Sequence, residues 1–181
     1  LEVYARRVMS QGQTVPLRRV VQGVKTGSTP PQLVLASSGE TVPWYSPGDF
    51  DSSLALRPAA RHLPRTAVDK GHVPEFPPDS VLIVGIGSTA GRVAHLKVAA
   101  AGNQQVTALI PNERVHGRYL AWWLWARAAE IRALAPYTTL PILNNDYLRS
   151  ITITLPTSEG QVQITSDLDR RSLADTALTD T

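Results

Sequence analysis

Between Asp79 and Leu96 the chain reads DSVLIVGIGSTAGRVAHL, and Gly85, Gly87 and Ala90 satisfy G-x-G-x-x-[GA]. That spacing lets a strand turn tightly into a helix whose N-terminus faces a pyrophosphate, so one reading is a nucleotide-binding enzyme domain built on the loop at 85–90. A dinucleotide site also needs an acidic residue about 20 positions beyond the first glycine to hold the ribose hydroxyls. No Asp or Glu stands between Asp79 and Glu113, so that anchor is missing. Arg92 and Val93 stand where a P-loop carries the Lys and Ser/Thr that grip phosphate and magnesium. Ser88 lacks the flanking glycines of a nucleophile elbow. His62, His72, His95 and His116 are scattered with no i, i+4 pairing, which argues against a metal site. Asp49 and Asp51 fit local turns better than paired acid/base work. No catalytic constellation is left, and no cofactor is expected on this chain. What remains is a set of amide and hydroxyl side chains beside glycines, a chemistry suited to reading hydrogen-bonding edges rather than breaking bonds.

Composition sets the limits on the elements that must hold these groups. A chain of 181 residues suits one domain, or one domain with an appendage, and 43% apolar against 18% charged residues argues for a packed core over disorder. The net charge of +3 is a mild bias toward acidic partners. Its basic side is 15 Arg to 3 Lys, and Arg is the better fork for phosphates and guanine edges. The absence of cysteine excludes disulfides and thiolate chemistry. No apolar run is long enough to span a bilayer and no signal-peptide pattern opens the chain, so a cytoplasmic protein without a membrane partner is expected.

Along the chain, residues 1–15 read as a polar lead-in. In PLRRVVQGV, Leu17, Val20, Val21 and Val24 share one helical face, which predicts a short helix ending near Gly23. KTGSTPPQ and ASSGETVPW are turn-rich, and 49–78, with its prolines, is expected to be irregular with short strands. Strands are predicted at Val81–Val84 and 106–110, and one long helix at 118–135 is stopped by Pro136, with its tryptophans in core and rim packing rather than a base-stacking platform. SITITLP alternates as a strand. A last helix begins at Ser158, which stands in capping-box spacing with Gln161.

The order of several pieces then resembles the specificity subunit of type I restriction-modification enzymes. They are VPLRRVVQGVKTGSTP, TVPWYSPGDF, FPPDSVLIVGIGSTAGRVA, AGNQQVTALIP, YTTLPILNNDYLRSITITLP and SEGQVQITSDLD. The resemblance implies an α+β fold: a target recognition domain over 16–157 with a mixed sheet, packed helices and long loops, followed by a spacer or dimerisation helix over 158–181. It implies a non-catalytic module that reads one half of a split target in double-stranded DNA. Adenine methylation, with S-adenosylmethionine as cofactor, falls to a partner DNA methyltransferase subunit, and cleavage to a restriction motor subunit. A half subunit self-associating through the final helix, a fragment, and a domain fused to a methyltransferase all remain open. The glycine loop is then a tight turn on a surface that can face DNA. Ser88 stands where the family often carries a basic residue, and Arg92 could supply that charge instead. The candidate DNA contacts are Lys25, Thr26, Ser28 and Thr29; Ser88, Thr89 and Arg92; Asn103, Gln104 and Gln105; and Thr138, Thr139, Asn144 and Asn145.

Overall fold

The computed structural model describes residues 1–31, 39–135 and 142–179, with side chains to 175. Its centre is an antiparallel sheet in the order β2 (Val21–Thr26), β8 (Val106–Pro111), β5 (Val81–Val84), β6 (Val93–His95). Every side chain of β5 is buried, because both faces of the sheet are covered. Val81, Ile83, Val93 and Leu109 join a core on one side, and Leu82, Val84, Ala94, Val106 and Ala108 join a second core with Tyr45, Phe50 and Phe76 on the other. This is the period-two alternation of a strand expressed between two apolar layers.

The first layer is built on α3 (Gly117–Ala126), which packs on β5, β6 and β8. Tyr119, Leu120, Trp122, Trp123 and Leu124 are all buried, as expected for a helix that is apolar around its circumference. Trp122 and Trp123 are core residues and Trp125 packs partly buried at the rim, its Nε1 donating to Ser52 O. Truncating Trp122 to alanine would cost about 3–5 kcal/mol. The single long helix expected here divides at Arg127 (φ −119°, ψ 12°), and α4 (Ala128–Ala133) follows. Arg127 lies over the Trp123 ring with its Cζ 4.3 Å from the centroid, so the break coincides with a cation–π contact.

Two smaller sheets complete the strands. β3 (Thr41–Tyr45) pairs antiparallel with β4 (Arg61–Pro64) and parallel with β7 (Ala101–Gly102), over a small core of Trp44, Leu63, Ala67, Val73 and Ala101 that includes α2 (Arg65–Asp69). β1 (Gln13–Pro16) pairs with β9 (Thr152–Leu155), which follows α5 (Asn145–Ser150). The α+β class therefore holds, and the strands among the described residues divide into three sheets.

Three local expectations are corrected. The helix expected in PLRRVVQGV is a 3₁₀ turn at Leu17–Arg19 followed by β2, because pairing with β8 and the β-branched valines override a helical spacing only two turns long. The turn-rich ASSGETVPW contributes β3. The lead-in is folded: α1 (Glu2–Val8) packs on α3, with Ala5 and Met9 fully buried.

The last helix, α6 (Ser158–Thr179), begins where expected, but the cap is Thr157, whose hydroxyl accepts the Gly160 N–H at 3.2 Å. Gln161 is 1% exposed and does not close a capping box. Its Oε1 accepts the His116 N–H, and its Nε2 donates to the carbonyls of Arg114 and Pro156. Further along, Asp169 accepts from Arg118 Nη2 at 2.7 Å and Trp122 Nε1 at 2.8 Å, and Asp167 accepts the Tyr4 hydroxyl at 2.6 Å. Nearby, Asp79 (φ 66°) contacts His95 Nε2 at 2.7 Å and accepts the Gly117 N–H at 3.2 Å. The His95 hydrogen bond holds the Asp79 carboxyl below the usual carboxylate range; burial opposes it and the Gly117 N–H adds to it.

Candidate nucleic-acid interface

Four loops separated in sequence are stitched to one another by backbone hydrogen bonds at one end of the central sheet. Past β2, Gly27 N–H donates to Val106 O at 2.9 Å and Ser28 N–H to Gly102 O at 2.9 Å. Past β5, Gly85 N–H donates to Gln105 O at 2.7 Å, while its carbonyl accepts the Leu143 N–H at 2.8 Å. Ile86 and Ile142 then form an isolated antiparallel bridge. A side chain at Gly27 would collide with the carbonyl oxygens of Gly102 and Asn103, so the close approach of the first two loops requires glycine.

The glycine loop opens no helix. After β5 the chain turns back on itself through Ala90 N–H to Gly87 O (3.0 Å) and Gly91 N–H to Val84 O (2.8 Å), and enters β6, antiparallel to β5. Gly87 (φ 104°) and Gly91 (φ 89°) supply the left-handed conformations of this turn. A pyrophosphate cradle needs a helix N-terminus at this point, and the chain provides a strand. The nucleotide-binding alternative is thereby corrected.

The stitched loops enclose two adjoining concavities that share Ile86. One is lined by Thr26, Gly85, Gln104, Thr107, Ile142, Asn144 and Asn145 among others, the other by Ser46, Gly87, Ser88, Thr89, Arg92, Asn103 and Gln105 among others. Nine of the proposed contacts thus fall on one face, drawn from four regions of the sequence. Thr29 joins them by donating to Gln104 Oε1 at 2.7 Å. Lys25 and Ser28 are held apart: Lys25 Nζ donates to Glu75 O at 3.4 Å and Ser28 Oγ to His72 O at 3.1 Å. Thr138 and Thr139 lie outside the described residues.

Several of these side chains also brace the loops. Asn103 Oδ1 accepts the Gln105 N–H at 2.9 Å, an Asx turn. Asn144 Oδ1 accepts the Tyr147 N–H at 2.8 Å and so caps α5. Asn145 Oδ1 accepts the Thr26 hydroxyl at 3.1 Å, and Arg92 Nη1 donates to Phe50 O at 2.8 Å. Ser88 is exposed, and Arg92, though tied to Phe50, is exposed as well, so the charge the turn offers comes from Arg92. The residues that sequence reasoning missed are Thr107, hidden in the apolar run of β8 but bonded to Thr26 at 3.0 Å, and the isoleucines Ile86 and Ile142. Ile86 carried one available signal, an apolar side chain set between two glycines of a turn.

A family model described as type I restriction modification DNA specificity domain matches residues 9–179. The chain belongs to this family. This specificity domain is 27% identical over 135 residues to the type I restriction enzyme EcoR124I/EcoR124II specificity subunit of Escherichia coli, an alignment that covers 72% of this chain and 33% of that one. In fold it is similar to the HsdS subunit from Thermoanaerobacter tengcongensis, with a TM-score of 0.73, 19% identity, and coverage of 99% of this chain and 44% of that one. A solved chain from work on complex assembly and conformational transition of a type I R-M system gives a TM-score of 0.76 at 19% identity, covering 98% and 44%. The chain thus spans a third of the curated relative and less than half of the solved ones.

Proposed function

We propose that this specificity domain is a non-catalytic DNA-reading module, one target recognition domain over 16–157 with the start of a spacer helix over 158–181, and that it reads one half of a bipartite duplex target. Arg, Lys and backbone amides neutralise phosphates, which gives affinity that falls as salt rises; the loop amides and hydroxyls discriminate base edges. Bond-making belongs to partners: an adenine methyltransferase subunit that carries S-adenosylmethionine, and a restriction motor subunit. The observation that carries this reading is the convergence of four stitched polar loops on one face of a chain belonging to a DNA specificity family.

The experiment is selection of preferred duplexes from a random pool by the full specificity subunit assembled with its methyltransferase, followed by titration across salt concentrations. The expected result is one enriched half-site assigned to this domain, lost by about 10- to 100-fold on Gln104→Ala together with Asn145→Ala. Arg92→Gln instead weakens all duplexes alike and lowers the slope of log K against log salt by about one. The absence of any enriched sequence overturns the reading, as does a rise in melting temperature of this chain with NAD or ATP.

A further inference from the structure

We infer that the concavity between the glycine turn and the start of α5 is a thymine-reading subsite, with Ile86 and Ile142 against the 5-methyl group and the neighbouring amide NH₂ groups on O4. This deepens the proposed DNA-reading function and rests on it. Ile86 and Ile142 are 38% and 40% exposed, and they are directly paired across a backbone bridge. Scattered exposed apolar residues are ordinary; two held side by side in a ring of polar side chains form a small apolar patch with a fixed shape. Gly85 fixes both ends of the patch, since its N–H is bonded to Gln105 O and its carbonyl to the Leu143 N–H.

The polar ring is oriented. Asn144 Oδ1 is committed to the Tyr147 N–H, Asn145 Oδ1 to the Thr26 hydroxyl and Gln104 Oε1 to the Thr29 hydroxyl. Each amide turns its oxygen to a partner inside the protein, with one of its two lone pairs used, and keeps both NH₂ hydrogens for a ligand. The concavity therefore offers amide donors beside an apolar surface, with the exposed Asp146 carboxylate at its rim paired to Arg149 at 3.8 Å. In the major groove only thymine combines an acceptor, O4, with an apolar group, the 5-methyl. Guanine presents acceptors without a methyl, and cytosine and adenine present an amino donor that would face the NH₂ groups.

The test uses the full specificity complex and the duplex it selects. Each thymine of the half-site is replaced by uracil, which removes the methyl and leaves O4 in place. The expected result is one position at which uracil weakens wild-type binding by about 3- to 10-fold, with Ile86→Ala binding the thymine and uracil duplexes equally. Ile142→Ala serves as the second variant, and both are expected to keep the wild-type melting temperature. A selected half-site with no uracil-sensitive position overturns the subsite while leaving DNA reading intact, as does discrimination that survives in both variants. Failure to select any sequence removes the function and the subsite together.

Discussion

The seam between α6 and the body of the domain and the loop face use polar groups in opposite ways. At the seam the partners are charged or buried: Gln161 satisfies three backbone groups, Asp169 holds Arg118 and Trp122, and Asp167 holds Tyr4. At the loop face most side chains are neutral amides and hydroxyls, with Arg92 the charged exception in the turn. They bond to one another and to nearby backbone groups, while main-chain hydrogen bonds stitch the loops together. The seam fixes the direction in which α6 leaves the domain. The face keeps its framework when a side chain changes, because the main-chain bonds do not depend on side-chain identity. For the proposed DNA-reading function, this division separates the attachment of α6 from the side chains that would meet a target.

The sharpest way to break the comparison is Gln161→Ala. It strands a buried N–H and two carbonyls, and the expected loss is about 2–4 kcal/mol, or roughly 5–15 °C in melting temperature. An unaltered melting temperature would mean that the seam is not held by its polar groups. Next in size is a double-mutant cycle with Arg118→Ala and Asp169→Ala, whose coupling is expected at about 1–2 kcal/mol because the pair is bidentate though partly exposed. Additive effects there would assign the contact to the surface ion pairs that contribute little.

Acid titration sharpens the picture at Asp79. Its folded-state pKa lies below the unfolded value, so its contribution is fully present above about pH 4 and is lost as pH falls through the folded-state pKa. Asn tolerates the left-handed backbone that Asp79 adopts, so Asp79→Asn is expected to lower the melting temperature at pH 7, where the carboxylate's contribution is present, and to flatten the decline below about pH 4, where wild type loses it too. An identical acid limb in both proteins would remove Asp79 from the balance. The smallest effect belongs to the loop face: Thr29→Ala with Gln104→Ala is expected to move stability by less than about 0.5 kcal/mol, measured by denaturant unfolding.

Much of the scaffold could be read from residues alone where a strong pattern met a matching environment. Val81–Val84 is a short β-branched run and is the most buried strand, and Ser158 does open the final helix. The failures share a cause. Leu17, Val20, Val21 and Val24 fit a helical stripe, yet the segment is a strand because β8 lies beside it, which no local spacing reveals. Gln161 suits a capping box by spacing, but its side chain is taken by His116 and Arg114, residues that only the packing of α6 brings near. On the face, the polar loops were named from their composition and motif order, whereas Ile86 and Ile142 were passed over because apolar residues carry no sign of exposure, and Thr107, itself buried, because it sits in the apolar run of β8.

By itself the sequence determined that the chain folds around an apolar core, that its glycine motif lacks a ribose anchor, and which hydroxyls and amides sit in loops. Those properties follow from residue type and from distances along the chain. Only the tertiary structure decided that the loops following β2 and β5, the Asn103 turn and the start of α5 share one face, and that their amide oxygens each turn to a partner within the protein. Such juxtapositions are set by strand pairing between segments far apart in the chain, and hydrogen-bond commitments exist only once those segments have met.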